Sequence, residues 1–140
     1  MLLHIIARGK IGRSSEADLV DRYARRIDWP FRLTELADRG GMPPIEVRPS
    51  RMVLLDERGK NLPSQDFAAL LGRWRDEGVR EARFILGAAD GHAQAERDSA
   101  DLLIAFGAMT WPHLLVRAML AEQLWRATSI LAGHPYHRAG

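Results

Sequence analysis

Cysteine is absent from all 140 positions, which removes disulfide bonds, a thiolate nucleophile and thiolate-ligated zinc from the available chemistry. Long apolar runs are missing too. No stretch approaches the ~20 residues that span a bilayer, and the opening MLLHIIARG has neither a basic leader nor an A-x-A cleavage pattern. The expectation is a soluble, unexported, cytoplasmic protein with no membrane partner. Lysine occurs only at Lys10 and Lys60, so eighteen of the twenty basic residues are arginine, whose planar fork suits phosphate and stacked bases. A GC-rich codon usage produces the same excess. The early ARGKIG is not G-x-G-x-x-G, and no G-x-x-x-x-G-K-[ST] occurs, which excludes the usual dinucleotide and triphosphate cradles.

What is present reads as one α/β domain over residues 1–140. Hydrophobic residues make up 46% of the chain, enough for a core at this length. The net charge of +2 is unevenly spread: residues 1–60 carry twelve basic and nine acidic side chains, 61–105 five and eight, and 106–140 three and one. Both ends suit a polyanion and the middle does not. LLHIIA (Leu2 to Ala7) has strand length, and GKIG breaks it. Ser14 or Ser15 caps a helix with Leu19, Val20, Tyr23, Ala24 and Ile27 on one stripe, closed by Trp29 and Pro30. FRLTEL and RMVLLD (Arg51 to Asp56) read as strands around the Gly/Pro-rich RGGMPPIEVRPS. Ser64 caps a helix carrying Phe67, Leu70, Leu71 and Trp74 and ending at Gly78. RFILG is a buried strand, HAQAERDSA a short helix and DLLIAFG another strand; from Pro112 the longest helix runs to Gly133. Strands separated by helices predict right-handed crossovers and a mostly parallel sheet with helices on both faces.

Ligands of such sheets bind outside the carboxyl ends of the strands. That rule singles out LLDERGKN after the third strand, LGAADGH after the fourth and FGAMTWP after the fifth. Gly87, Gly91 and Gly107 allow close backbone approach, and Leu55, Met109 and Trp111 are suited to lining an adenine slot. Taken alone, glycines after strands are ordinary turn punctuation.

The same segments carry a resemblance. LLDERGK, ILGAADG, MTWPHLLVRAMLAEQLWRA and the terminal HPYHR, in this order and spacing, resemble the RlmH family of SPOUT-class methyltransferases. The likeness covers most of the chain and is most specific from Phe106 to Arg138, through P-H-x-x-x-R, E-Q-x-x-R-A and H-P-Y-H-R. It implies an α/β sheet whose carboxyl-terminal segment forms a deep trefoil knot, assembled as a homodimer, with S-adenosylmethionine in the knot. It further implies methylation at N3 of a pseudouridine in 23S ribosomal RNA, on the assembled ribosome. The family's cofactor contacts fall on Leu55, Gly87, Phe106, Gly107, Ala108, Met109, Thr110 and Trp111. Two positions depart from the family pattern: Gly87 is followed by Ala88 rather than a second glycine, and the connection from Glu35 to Arg51 is short where relatives carry a longer, helix-containing insertion.

An imide N3–H is mostly un-ionised at neutral pH, so methyl transfer needs a proton acceptor and in-line placement of the reacting atoms. His137 is the first candidate base, since histidine titrates near working pH. Arg126 or Arg138 would stabilise imide oxygen charge or grip phosphate, and Tyr136 would stack on or hydrogen-bond the base. The tail from Gly133 to Gly140 then acts as an active-site lid, where terminal residues are ordinarily frayed, and the amphipathic last helix joins two subunits. Plainer roles stay open. Trp74, Trp111 and Trp125 suit a core, Glu122 and Arg126 have the spacing of a helical ion pair, and His113 suits a cap. His134 and His137 lack a third ligand beyond His113, so no metal is expected. Alternative functions are a non-catalytic ribosome- or RNA-binding protein on this fold and a nucleotide-binding enzyme acting on small molecules.

Overall fold

The computed structural model describes residues 1–87 and 91–138; Ala88 and the end of the tail, Ala139 and Gly140, lie outside the described residues. The elements alternate as the hydrophobic pattern predicts: β1 (Leu2–Arg8), α1 (Ser15–Ala24), β2 (Phe31–Leu36), β3 (Ser50–Lys60), α2 (Ser64–Asp76), β4 (Glu81–Leu86), α3 (Gln94–Ser99), β5 (Leu102–Ile104) and α4 (His113–Leu131). The strands form one parallel sheet in the order β2-β1-β4-β3-β5. The steps β1 to β2 and β3 to β4 cross the sheet in one direction, and β2 to β3 and β4 to β5 in the other. Right-handed crossovers then put α1 and α2 on one face, and α3 with the 37–49 connection on the opposite face. α4 completes the first face, packed against both α1 and α2. No helix among the described residues is long and apolar enough to cross a membrane.

Strand alternation sorts the two faces. Leu3 and Ile5 of β1, Val53 of β3 and Ala82 and Phe84 of β4 join Phe67, Leu71, Leu120 and Leu124 in the main core, where Phe67 and Phe84 meet edge to face at 6.0 Å. α4 is not the amphipathic helix expected. Ala118, Leu120, Ala121, Leu124, Ala127 and Thr128 are all buried, because a helix flanked on two sides must be apolar nearly all round.

The opposite face buries a polar network instead. His4 Nδ1 donates to Glu81 Oε2 (2.7 Å) and its Nε2 accepts from the Thr34 hydroxyl (2.7 Å). Arg83 Nε donates to the same Glu81 oxygen at 3.1 Å and its Nη2 to the Pro44 carbonyl at 2.5 Å, while Glu81 Oε1 accepts from the Val47 N–H at 2.7 Å. Burial lowers the His4 pKa, outweighing the hydrogen bond to Glu81, so His4 is neutral at pH 7. Burial works to raise the Glu81 carboxyl, but the Val47, His4 and Arg83 contacts bring it net below its ordinary value. A short connection is thereby held to the sheet through charge, where a helix would hold through apolar area.

Several boundaries depart from the sequence expectation. α1 ends at Ala24 rather than at Trp29, since a turn closed by Arg26 N–H to Tyr23 O (3.0 Å) and Ile27 N–H to Ala24 O (3.2 Å) keeps Ile27 buried outside the helix. Ser14 does cap α1, accepting from Ala17 N–H at 3.1 Å. Ser64 does not cap α2: Pro63 holds that position, and the Ser64 hydroxyl donates to Gln123 Oε1 on α4 at 2.7 Å. β3 runs past Asp56 to Lys60, whereas β5 contracts to three residues. Leu55 and Lys60 both pair with Ile104, so the residues between them form a bulge that turns Asp56, Glu57 and Arg58 out of the ladder. Gly59 permits this close approach, for a Cβ there would stand 2.5 Å from Ile104 C and N.

Candidate functional site

The carboxyl ends of β3 and β4 and the segment after β5 enclose a cavity of about 460 Å³. Its walls come from the β3 bulge (Leu55, Asp56, Glu57, Arg58), the β4–α3 connection (Gly87, Gly91, His92), Arg97 of α3, and the start of α4 (Thr110 to His113, Val116). An adjoining, mostly apolar slot of about 130 Å³ lies between Leu55, Ile104 to Gly107, Met109, Thr110, Trp111 and Val116, with Asp56 and Glu57 also on its wall. The size of the larger cavity and the mixed apolar and polar lining are those of a small-molecule site.

Seven of the eight expected cofactor residues meet here. Leu55, Thr110 and Trp111 line both spaces, Gly87 the larger, and Phe106, Gly107 and Met109 the slot; Ala108 is exposed on the turn and lines neither. The turn is fixed from within by Trp111 Nε1–H donating to Phe106 O (3.0 Å) and Gly107 N–H to Asn61 Oδ1 (3.3 Å). Gly107 has φ +105°, a conformation other residues adopt only with strain. Met109 and Trp111 are 77% and 41% exposed, so two large apolar side chains stand at the mouth without a protein partner to cover them. The third-strand segment LLDERGKN, expected as a loop, is instead the strand bulge. It still delivers its side chains to the cavity, because a bulge re-aims side chains as a loop does.

Electrostatics hold the walls. Arg97 Nε donates to Asp56 Oδ2 at 2.7 Å and Arg58 N–H to Asp56 Oδ1 at 2.8 Å. Burial works to raise the Asp56 carboxyl, but these two hydrogen bonds bring it net below its usual range. On the far side, buried Arg117 of P-H-x-x-x-R pairs with Glu35 Oε2 (2.5 Å) and donates to Gly9 O (3.0 Å). Glu35 also accepts from Ile11 N–H at 2.8 Å. The motif arginine thus ties α4 to the ends of β1 and β2.

At Gly87 an added Cβ would meet Gly91 O and His92 Cε1, both at 3.1 Å. Gly87→Val is therefore expected to abolish ligand binding by driving the 91–92 segment off the β3 edge, with the fold retained. Calorimetric titration of S-adenosylhomocysteine checks this, and wild-type affinity in a folded variant would refute it.

The expected catalytic residues gather elsewhere. The Tyr136 ring lies tilted against Trp125 at 3.7 Å between ring centroids, and Trp125 stacks on Tyr23 at 5.7 Å. Arg26 covers the Trp125 ring at 4.8 Å, and the Arg126 guanidinium covers Tyr136 at 4.7 Å. Tyr136 OH donates to Glu122 Oε1 (3.0 Å), which also accepts from Arg126 Nη2 (2.5 Å). Burial and that Glu122 hydrogen bond raise the Tyr136 pKa, so the phenol stays protonated. Arg126 Nη1 donates to His137 Nδ1 at 3.0 Å; a neutral His137 ring then carries its proton on Nε2. Arg138 is exposed. Glu122 and Arg126 do form the helical ion pair, and the tail is pinned through it. Val116 is the last α4 residue on the cavity wall and Arg126 lies ten residues further on, which is about 15 Å along a helix. Gln123 of α4 does reach the other side of the turn, where it lines a separate cavity with Phe106 and Gly107; neither the cavity nor the slot is lined by a residue of the tail.

His113, read from sequence as a cap, is exposed on the cavity wall after Pro112, which takes the N-cap position itself. Asp56, His92 and Arg97 join the site beyond the residues expected from sequence; strand-end position is a signal for the first two, and nothing local to Arg97 marks it. Among the described residues no group of three or more His, Asp or Glu is placed to hold a metal.

Residues 1–137, which include every segment that lines the cavity, match the family described as predicted SPOUT methyltransferase. Proteins named ribosomal RNA large subunit methyltransferase H are 74% identical in Novosphingobium aromaticivorans and 69% in Erythrobacter litoralis, each alignment covering all of both chains. The one in Paramagnetospirillum magneticum is 47% identical over 99% of both. The chain belongs to the ribosomal RNA large subunit methyltransferase H (RlmH) family of SPOUT methyltransferases.

Proposed function

We propose that this chain methylates N3 of a pseudouridine in large-subunit ribosomal RNA on the assembled ribosome, in the cytoplasm. S-adenosylmethionine is the methyl donor, and the enzyme is a homodimer with its carboxyl-terminal segment threaded as a deep trefoil knot. The observation that carries the reading is the convergence of Leu55, Gly87 and the 106–111 turn on one cavity.

The donor set fits this cofactor. The slot between Leu55, Phe106, Met109 and Val116 offers the apolar faces adenine requires, and the Gly107 turn with Asp56 and Glu57 brings polar groups to it. Glu57 and Arg58, exposed on the larger cavity, are the charged groups available to the ammonium and carboxylate of a methionyl group. When bound, the cofactor supplies an electrophilic methyl group. The chain's residues must orient the pseudouridine and remove its N3 proton. His113 on the cavity wall and His137 on the tail are the histidines available. His137 can accept only after its Nδ1 leaves Arg126, because that lone pair is occupied and Nε2 carries the proton in the neutral ring.

The separation of about 15 Å between cavity and tail supports the dimer reading. A tail that serves catalysis reaches the cavity of a second copy rather than its own, with Tyr136, Arg126 and Arg138 orienting the base and gripping phosphate from across the interface. Mass spectrometric mapping of ribosomal RNA from a strain lacking the gene, with and without added protein and cofactor, tests the function. A methyl group lost from one pseudouridine and restored by the protein is expected. Salt-sensitive ribosome binding without cofactor binding or methyl transfer would replace the reading with that of a binding protein.

A further inference from the structure

The β4–α3 connection brings one buried histidine against the cofactor cavity. His92 has a side chain only 2% exposed. Its Nε2 lies 2.9 Å from the Leu55 carbonyl oxygen, which can only accept, so Nε2 carries the proton. β4 stops at Leu86, the residue in register with Leu55 of β3. Just where strand pairing to β4 ends, an imidazole N–H takes the β3 carbonyl. The ring sits between two walls, its Nδ1 buried without a hydrogen-bond partner, and a separate ion pair ties the neighbouring β3 residue to α3. The ring's Cε1 edge faces Gly87 closely enough that a Cβ there would be 3.1 Å away. Its Nδ1 lies 3.9 Å from Glu96 Oε2 in the first turn of α3. The next β3 residue, Asp56, is tied to α3 by Arg97. The Leu55–Asp56 peptide, which leads from the regular strand into the bulge, is held at its carbonyl by His92 and at the Asp56 side chain by Arg97.

We infer that His92 is a positioning residue for the cofactor: by donating Nε2–H to the Leu55 carbonyl it sets the β3 wall of the cavity against the Gly87 wall, and so sets cofactor affinity. This rests on the reading of the cavity as the S-adenosylmethionine site. A residue acting on the walls changes affinity while leaving the methyl-transfer step at saturation untouched. Leucine keeps the apolar bulk but leaves a buried carbonyl without its donor; glutamine returns an N–H at the distance of Nε2.

The experiment compares His92→Leu and His92→Gln with wild type in calorimetric titration of S-adenosylhomocysteine and in ribosome methylation across cofactor concentrations. His92→Leu is expected to raise Kd and the cofactor KM about tenfold, with kcat within about twofold, and His92→Gln to recover most of the affinity. Equal losses in both variants, wild-type affinity in His92→Leu, or a fall in kcat at unchanged Kd would each overturn the inference. Nitrogen-15 shifts of the ring in the cofactor-free wild-type protein give a readout independent of either variant's folding. A protonated Nε2 is expected, and a ring protonated on Nδ1 alone would overturn the Leu55 link. If wild-type protein binds no S-adenosylhomocysteine, the reading of the cavity itself falls; if wild type binds and His92→Leu binds equally well, only the assignment of His92 falls.

Discussion

Alanine in place of Gly59 is expected to cost about 3 kcal/mol or more of stability, at or beyond the upper end of ordinary overpacking, and to remove cofactor binding with it. The added Cβ would lie 2.5 Å from both the carbonyl carbon and the nitrogen of Ile104 and 2.6 Å from its Cα. A side-chain neighbour could swing aside, but a strand backbone cannot. β5 has only three residues, and Ala105 N–H to Lys60 O (3.0 Å) is the bond that follows the contact. Relief must come from parting β5 and the turn after it from β3. That turn carries Phe106, Gly107, Met109, Thr110 and Trp111, so the slot opens as the strand leaves. Urea unfolding with S-adenosylhomocysteine titration checks both effects, and a variant with wild-type midpoint and affinity would sink the bulge argument.

Deletion of residues 134–140 is expected to abolish methyl transfer to the ribosome while cofactor affinity changes less than about threefold. The stability cost is modest, since the Tyr136–Trp125 contact contributes about 0.5–1.5 kcal/mol beyond its buried area. The tail touches Glu122, Trp125 and Arg126, about 15 Å down α4 from the cavity, so cofactor binding does not depend on it. Mixing gives the sharper result. A tail-deleted chain has an intact cavity, and a Gly87→Val chain has an intact tail; neither is expected to transfer methyl groups alone. Refolded together, they are expected to regain activity through the mixed dimer, which holds one intact cavity facing one intact tail. Full activity of the deletion alone would return the tail to the class of disordered ends. Failure of the mixture, with mixed dimers demonstrated by light scattering and mass spectrometry, would place the tail's work within its own chain.

How far the sequence reached follows from the range of the interactions involved. Element order, the parallel sheet and the three strand ends that make the cavity were legible in hydrophobic period, caps and breakers, because those depend on residues within a turn or a strand of one another. Ser14 capped α1 as read, since its partner is three residues away. Ser64 was misread for the opposite reason, its partner Gln123 lying 59 residues on. The amphipathic α4 expected from sequence became a helix buried on two sides, an outcome set by α1 and α2 rather than by its own pattern.

Local pattern in the chain was enough to place the strands and helices, to mark the glycine-bearing ends after β4 and β5 that line the cavity, and, through its motifs, to reach the family. How the site is held was set by the tertiary fold. The Leu55 carbonyl meets His92 across 37 residues, Asp56 meets Arg97 across 41, and Glu35 meets Arg117 across 82. It also decided that β3 bulges at Gly59 against Ile104 and that the tail docks on the far half of α4. Each depends on a hydrogen bond or a backbone clearance between distant segments. Local periodicity carries no information about such distances, because they come into being only when the sheet closes and α4 settles between α1 and α2.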